Sequence, residues 1–180
     1  MSLELIFGCM FSGKSSELIR RLKRHKVIGK KILVINSSKD TRNSSNVLQT
    51  HDGVTFDCVK TCDLASIKTH PKFKSSDTIG IDESQFFSHL VEFVRDSLTM
   101  NKTVIVAGLD GDFQQKVFGD ILNLIPLAEK VDKLHALCVD CQDGTLASFT
   151  KRTVQSENQE LVGASSMYRA VCRKHLSTYK

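Results

Sequence analysis

A stretch near the beginning of the chain, GCMFSGKS, has the residue types and spacing of a phosphate-binding loop. Its two glycines let the backbone curl so that successive N–H groups point inward. Lys14 would place a positive charge beside the β- and γ-phosphates of a nucleotide, and Ser15 would offer a hydroxyl to Mg²⁺. We therefore predict that a nucleoside triphosphate contacts the whole loop, which consists of Gly8, Cys9, Met10, Phe11, Ser12, Gly13, Lys14 and Ser15.

Two adjacent acidic residues follow another apolar run and are predicted to belong to the same site. Residues 78–81 form this run, and Asp82 and Glu83 come directly after it. Ligands of open α/β sheets bind at the carboxyl ends of the strands, which is where these side chains would lie. Asp82 is then the expected partner of Mg²⁺, and Glu83 has the position of a general base.

The acidic pair is compatible with two chemistries. In a helicase-like ATPase the glutamate would activate water, whereas in a kinase it would accept the proton of an acceptor hydroxyl. A helicase motor usually needs two such lobes, and the 180 residues of this chain suffice for one domain with at most a small module. The length therefore favours a kinase, in which the C-terminal part of the chain would build the acceptor pocket.

The C-terminal part of the chain contains two pairs of residues with metal-ligand spacing. Cys138 and Cys141 are separated by two residues, and so are Cys172 and His175. Four ligands of this kind suit a tetrahedral Zn²⁺ site. We predict a structural site, because no fifth group suggests catalysis. Residues 142–171 would then form a loop that is clamped at its base and able to fold over the edge of the sheet.

The order of apolar runs predicts the elements that position these residues. Strands are expected at residues 3–7, 31–35, 54–59, 78–81, 103–107 and 134–137. Helices are expected at 16–26, from residue 63 and at 86–98, with a broken helix at 121–131 and a long loop at 36–53. Continuous apolar strands that alternate with helices indicate a parallel sheet covered on both faces. A shift in composition places a domain boundary between residues 1–137 and 138–180.

Composition and charge argue against several classes of protein. The formal net charge is +5, and the densest basic run, residues 20–26, falls in the predicted first helix, so a solvated surface is expected there. No segment approaches the ~18 consecutive apolar residues of a membrane span. The first apolar run is too short for a signal peptide and contains an acid. We therefore expect a cytoplasmic protein without nucleic-acid or membrane partners.

Together these motifs resemble one family, the type II or cellular-type thymidine kinases, which also occur in large DNA viruses. The resemblance spans nearly the whole chain in order. It is carried by the phosphate loop, Asp40-Thr-Arg42, His51-Asp-Gly53, Asp82-Glu-Ser-Gln-Phe-Phe87, Gly108-Leu-Asp-Gly-Asp-Phe113, Met167-Tyr168 and the two metal-spaced pairs.

The resemblance implies a fold and a reaction. The fold would be α/β, with a P-loop (RecA-like) parallel sheet covered by helices and a small C-terminal zinc-clamped module, the lasso. The reaction would transfer the γ-phosphate of ATP, with Mg²⁺, to the 5′-hydroxyl of thymidine or deoxyuridine. Glu83 matches the proton acceptor of the family, and the segment from Asp82 to Gln85 would lie beside ATP. A homotetramer and feedback inhibition by thymidine triphosphate are further implications.

The same resemblance assigns the residues around the nucleoside. Phe113 and Phe118 match residues that border it, although from the sequence alone both would suit the core. Four residues match those around the thymine, namely Met10, Leu109, Thr150 and Tyr168. The backbone of a short stretch would meet the base, namely Gln159, Glu160, Leu161, Val162 and Gly163.

Three departures from the family pattern and two other hypotheses stand beside this interpretation. Cys9 stands where proline is common in the family, Ser84 stands where alanine is common, and residues 156–159 conform loosely.

A P-loop ATPase with a nucleic-acid-binding zinc ribbon is disfavoured by the single lobe and the modest charge. A nucleotide-binding regulator without turnover is disfavoured by the position of Glu83 beside Asp82.

Overall fold

Six strands in the described part of the chain form one parallel sheet. The computed structural model describes residues 1–40, 46–50, 53–154, 159 and 167–176. In chain order, the strands are β1 (Ser2–Gly8), β2 (Ile32–Ser37), β3 (Val47–Gln49), β4 (Thr55–Asp57), β5 (Val59–Thr61), β6 (Thr78–Ile81), β7 (Thr103–Gly108), β8 (Lys130–Leu134), β9 (Ala136–Leu137), β10 (Leu146–Ala147), β11 (Phe149–Arg152) and β12 (Tyr168–Val171). The sheet has the order β5-β2-β6-β7-β1-β8, and all its neighbouring strands are parallel. The predicted parallel sheet is confirmed.

Helices cover both faces of this sheet. The helix α1 (Lys14–Val27) covers one face, and α2 (Leu64–Thr69), α3 (Pro71–Ser75) and α4 (Leu90–Thr99) cover the other, whereas α5 (Arg173–Leu176) packs against β11 and β12. Leu22 of α1 is buried in one cluster with Ile6, while Leu5 is buried in a second cluster with Phe93 of α4. Successive residues of β1 therefore face opposite layers. This double burial explains why the strand is a continuous apolar run.

The shorter strands form three antiparallel pairs. The strand β3 pairs with β4, β9 with β10, and β11 with β12. The last two pairs and α5 are built from the C-terminal part of the chain. The boundary placed after residue 137 remains a prediction, and the structure adds that Ala136 and Leu137 pair with β10.

Two predicted segments in the first half of the chain differ from the structure. The loop predicted at 36–53 contains β3, whose Leu48 is fully buried. The strand predicted at 54–59 is two strands in different sheets. The backbone N–H of Cys58 between them donates to the carbonyl of Asn46, so that the chain leaves the β3–β4 hairpin there and joins the large sheet as β5.

Three predictions for later segments also need correction. The strand predicted at 134–137 is split, because Leu134 ends β8 of the large sheet whereas Ala136–Leu137 form β9 of a two-stranded sheet. The helix predicted at 86–98 begins at Leu90, because His89 is in the left-handed conformation (φ 56°) after a 3₁₀ turn at Ser84–Phe86. The broken helix predicted at 121–131 is a 3₁₀ segment, Ile121–Leu127, followed by β8. Three of the five residues of β8 are charged, as is common in a strand at the edge of a sheet, so the sequence shows no continuous apolar run there.

A buried arginine joins α1 to two strands of the sheet. The side chain of Arg21 is 4 % exposed. Its guanidinium donates hydrogen bonds of 2.7–2.8 Å to Glu4 of β1, Glu17 of α1 and Asp132 of β8. Hydrogen bonds from Arg20 and Arg21 lower the pKa of Glu17 to about 2. The edge strand β8 is thus held by an ionic contact as well as by its ladder with β1.

We predict that Arg21→Met destabilises the fold by roughly 2–3 kcal/mol, because it leaves three carboxylates without their shared partner. Arg20→Met is the matched control: its side chain is 57 % exposed and bonds to Glu17, so only a small change is expected. Urea unfolding followed by circular dichroism measures both. Equal effects of the two substitutions would contradict a structural role for the Arg21 network.

Candidate active site

The phosphate loop leaves β1 at its carboxyl end and leads directly into α1. A Cβ on Gly8 would lie 2.2 Å from the carbonyl oxygen of Leu134 in the neighbouring strand, so a side chain cannot be placed there. The α-helix begins at Lys14, and its N-terminal N–H groups face the loop. Ser15 donates a hydrogen bond of 2.7 Å from its hydroxyl to the Oδ2 atom of Asp82. The two residues predicted to hold Mg²⁺ therefore lie together.

The ammonium group of Lys14 is held inside the loop. Its Nζ atom donates a hydrogen bond of 2.7 Å to the carbonyl oxygen of Cys9. Burial lowers the pKa of this amine, and the nearby carboxylates of Glu83 and Asp82 oppose that shift. The lysine thus stands where an additional anion, such as a phosphate, would stabilise its charged form.

A glutamine holds the candidate general base in place. Glu83 has a left-handed backbone (φ 51°), an uncommon conformation that costs about 1–2 kcal/mol in a residue other than glycine. The Nε2 atom of Gln85 donates to Oε2 of Glu83 at 2.6 Å, and its Oε1 accepts from the backbone N–H of Leu109 at 3.0 Å. Gln85 therefore connects the acid to one of the residues predicted beside the thymine.

The turn that carries these acids is tightly packed. A Cβ on Gly119 would lie 2.6 Å from the Cα of Gln85. Ser84, one of the departures from the family pattern, is fully buried, and its Oγ has no hydrogen-bond partner within the described residues. An unsatisfied buried hydroxyl costs about 1–3 kcal/mol, so this departure carries a cost in stability.

Aromatic residues stand on the predicted nucleoside side of the site. Phe118 is 8 % exposed and packs edge-on against Phe86, with ring centroids 5.7 Å apart. The guanidinium of Arg152 lies 3.8 Å from the centre of the Phe113 ring and donates to the Tyr168 hydroxyl. Through these contacts Phe113 and Tyr168 form one wall of the predicted nucleoside pocket, which we call the aromatic wall. Four residues of the predicted base-binding stretch lie outside the described part of the chain, namely Glu160, Leu161, Val162 and Gly163.

The phosphate loop is joined to the C-terminal module by two hydrogen bonds. The backbone N–H of Met10 donates to Oγ1 of Thr150 at 2.9 Å, and the thiol of Cys9 donates to the carbonyl oxygen of Ala147 at 3.3 Å. Cys9 is 2 % exposed, and burial raises the pKa of its thiol. The cysteine that replaces the common proline is therefore a packed, protonated residue.

The four predicted metal ligands come together in one cluster. The Sγ atoms of Cys141 and Cys172 are 3.7 Å apart, and the three Sγ atoms lie 3.3–3.5 Å from Nδ1 of His175. Ligands about 2.3 Å from a tetrahedral Zn²⁺ ion are separated by about 3.7 Å, so the donor set and its spacing fit zinc. Cys138 is buried beside Cys9 in the same apolar cluster, which connects the metal site to the phosphate loop.

Two residues that were given no role from the sequence, one of them part of the motif at 108–113, lie at the site. Asp112 is 8 % exposed, and its Oδ2 accepts a hydrogen bond of 2.8 Å from Nε2 of Gln159. Arg152 contacts the wall described above. No spacing rule would have selected either residue, because their partners lie 47 and 16 residues away along the chain.

The fold and the site define a P-loop nucleotide-binding protein whose phosphate loop packs against a small Cys/His-clamped module. The family model for thymidine kinase matches residues 1–176. The chain belongs to the thymidine kinase family.

Relatives from animals and a virus are similar over most of this chain. "Thymidine kinase, cytosolic" of Gallus gallus is 44 % identical over 171 residues, which cover 95 % of this chain and 75 % of the relative. The Homo sapiens protein of the same name is 46 % identical over 171 residues, covering 95 % and 71 %. "Thymidine kinase" of Sheeppox virus (strain KS-1) is 44 % identical over 172 residues, covering 96 % and 94 %. Within its described residues, this chain has no helix with the length and apolar character that a membrane crossing requires.

We predict that the wild-type protein contains one Zn²⁺ ion and that Cys141→Ser loses it and has a lower melting temperature, because three ligands remain and the strands of the C-terminal module are short. Metal content by mass spectrometry and thermal unfolding measure the two effects. Cys62→Ser is the matched control, since Cys62 is exposed and outside the cluster. A Cys141→Ser protein with full metal content and unchanged melting would contradict the proposed ligand set.

Proposed function

We propose that this protein transfers the γ-phosphate of ATP to the 5′-hydroxyl of thymidine, or of deoxyuridine, and so produces the monophosphate for deoxynucleotide salvage and DNA synthesis. One observation carries the proposal. The side chain of Gln85 bonds at one end to the carboxylate of Glu83, beside the phosphate loop, and at the other to the backbone of Leu109 on the nucleoside side. A base in this position stands between a phosphate donor and an acceptor.

The phosphate side of the site would bind ATP and Mg²⁺. The backbone N–H groups of residues 8–15 would hold the phosphate oxygens, and Lys14 would exchange its bond to the Cys9 carbonyl for the β- and γ-phosphates. The hydroxyl of Ser15 and the carboxylate of Asp82 are already 2.7 Å apart and would hold Mg²⁺ between the protein and the phosphates. The ion would neutralise the charge that develops on the transferred group.

Glu83 would accept the proton of the acceptor hydroxyl as the γ-phosphate is transferred. Its carboxylate is oriented by the Gln85 amide, and its backbone is in the left-handed conformation. General base catalysis of this kind contributes roughly 10²–10⁴-fold to a rate. The proton moves to the Glu83 carboxylate, and the acceptor oxygen forms its bond to phosphorus as the bond to ADP breaks.

The acceptor pocket would be formed by the aromatic wall and the C-terminal module. Phe113 and Phe118 would border the nucleoside. The thymine would lie among Met10, Leu109, Thr150 and Tyr168, and backbone groups of the stretch Gln159, Glu160, Leu161, Val162 and Gly163 would read its edge. Such a pocket has room for a small 5-substituent and little for a purine. Reading by backbone groups explains why no side-chain motif for thymine is visible in the sequence.

The Cys/His cluster would hold a structural Zn²⁺ ion. Four protein ligands fill a tetrahedral shell and leave no position for substrate or reactive water. The ion would fix the base of the lasso, which would occupy residues 138–180 beside the nucleotide-binding domain of residues 1–137.

Three further features rest on the family resemblance. We propose a homotetramer, feedback inhibition by thymidine triphosphate, and a cytoplasmic location, which is the host cytoplasm if the protein is viral. The cytoplasmic location is also supported by relatives whose names include "cytosolic".

We predict that Glu83→Gln lowers kcat for thymidine phosphorylation at least a hundredfold while leaving ATP binding nearly unchanged, because the amide cannot accept the proton. Chromatography of thymidine monophosphate and ADP measures turnover, and calorimetry measures ATP affinity. Glu92→Gln, an exposed glutamate of α4, is the matched control. Turnover by Glu83→Gln close to that of the wild type would remove Glu83 from its role.

A further inference from the structure

Arg152 makes a set of contacts that joins three separate segments of the candidate pocket. It is the last residue of β11 and lies opposite Tyr168 in the ladder with β12. Its guanidinium carbon is 3.8 Å from the centre of the Phe113 ring. Its Nη2 atom donates to the hydroxyl of Tyr168 at 3.1 Å and to the carbonyl oxygen of Gln159 at 2.9 Å. One side chain therefore contacts both aromatic residues of the wall and a residue of the predicted base-binding stretch.

These contacts close into a ring of interactions. Gln159, which accepts from Arg152, donates from its own side chain to Oδ2 of Asp112 at 2.8 Å. Asp112 precedes Phe113, on which Arg152 stacks, and its Oδ1 atom accepts from the backbone N–H groups of Gln114 and Lys116. Because each member is held by the next, displacement of Arg152 would release several pocket residues at once.

The chemistry of these contacts requires an arginine. A planar guanidinium can stack on one ring while its edge donates hydrogen bonds in fixed directions. A lysine at the same place would keep the charge but would offer neither a flat face nor a fork of donors. The arrangement thus uses the shape of the side chain more than its charge.

We propose that Arg152 is a positioning residue for the pyrimidine nucleoside: it fixes Phe113 and Tyr168 as one wall and anchors Gln159 against it. This inference rests on the proposed function and adds a residue to it. The wall is built before the nucleoside arrives, so the nucleoside does not have to order it on binding. Arg152 acts on nucleoside affinity through these neighbours, whereas the bonds that hold Ser15 and Lys14 at the ATP site do not include it.

The test compares steady-state kinetics of wild type, Arg152→Met and Arg152→Lys, with thymidine and ATP varied separately. We expect Arg152→Met to raise KM for thymidine about tenfold or more, and KM for ATP to stay within about twofold. Arg152→Lys should also raise the thymidine KM several-fold, since charge alone does not restore the stack. Equilibrium binding of thymidine, measured by calorimetry, should weaken in parallel with KM.

Arg173→Met is the matched control. Arg173 belongs to the same module and stacks on Phe149, with its guanidinium carbon 4.6 Å from the ring centre. Its replacement removes an arginine–aromatic contact outside the wall, so the thymidine KM should stay within about twofold of wild type. Metal content and melting temperature are measured for every variant. If Arg152→Met loses metal or has a lowered melting temperature, the thymidine KM of Arg152→Lys relative to wild type decides whether Arg152 positions the nucleoside.

Three results would overturn the inference: an unchanged thymidine KM in Arg152→Met and Arg152→Lys, an equal rise in KM for ATP, or the same rise in Arg173→Met. A different result would reject the proposed function. A wild-type protein that binds thymidine but does not phosphorylate it would reject the transfer reaction, and the binding measurements would still decide the role of Arg152. A wild-type protein that does not bind thymidine would overturn both.

Discussion

The cluster of three cysteines and one histidine is the constraint on which the proposed acceptor side of the site would depend. The strands β9–β12 are two to four residues long, and pairs of this size are not stable in water alone. A structural metal can supply on the order of 10 kcal/mol of folding free energy. These strands carry Thr150, which bonds to the phosphate loop, and Arg152 and Tyr168, which bond to each other. Metal binding at one end of the module would thereby shape the proposed pocket at the other.

The phosphate side depends on a different constraint, the convergence of parallel strands at one edge of the sheet. The strands β1 and β6 both end there, which brings Ser15 to Asp82 across 67 residues of sequence. The side chain of Gln85 then connects Glu83 to Leu109, the residue that follows β7. The proposed phosphate donor, base and acceptor wall would meet because the strand ends and the C-terminal module share this edge. Such a site would favour transfer to a bound hydroxyl over transfer to water.

The parts of the site that could be predicted from the sequence consist of residues that are close together along the chain. The phosphate loop, the acidic pair and the two metal-spaced pairs are local patterns, and each lies at the edge or cluster where it was expected. The bond between Met10 and Thr150 joins residues 140 positions apart, so no local pattern encodes it. The strand β8 was missed because three of its five residues are charged and no apolar run marks it. Arg152 was missed because its partners Phe113, Gln159 and Tyr168 belong to separate segments of the chain.

The destination of the γ-phosphate distinguishes a thymidine kinase from an ATPase. The wild-type protein would be incubated with Mg²⁺, thymidine and ATP labelled in the γ-phosphate, and the labelled products would be separated by chromatography. The account predicts that the label appears in thymidine monophosphate in equal amount to the ADP formed. Label released as inorganic phosphate, with none in thymidine monophosphate, would contradict it and would indicate an ATPase.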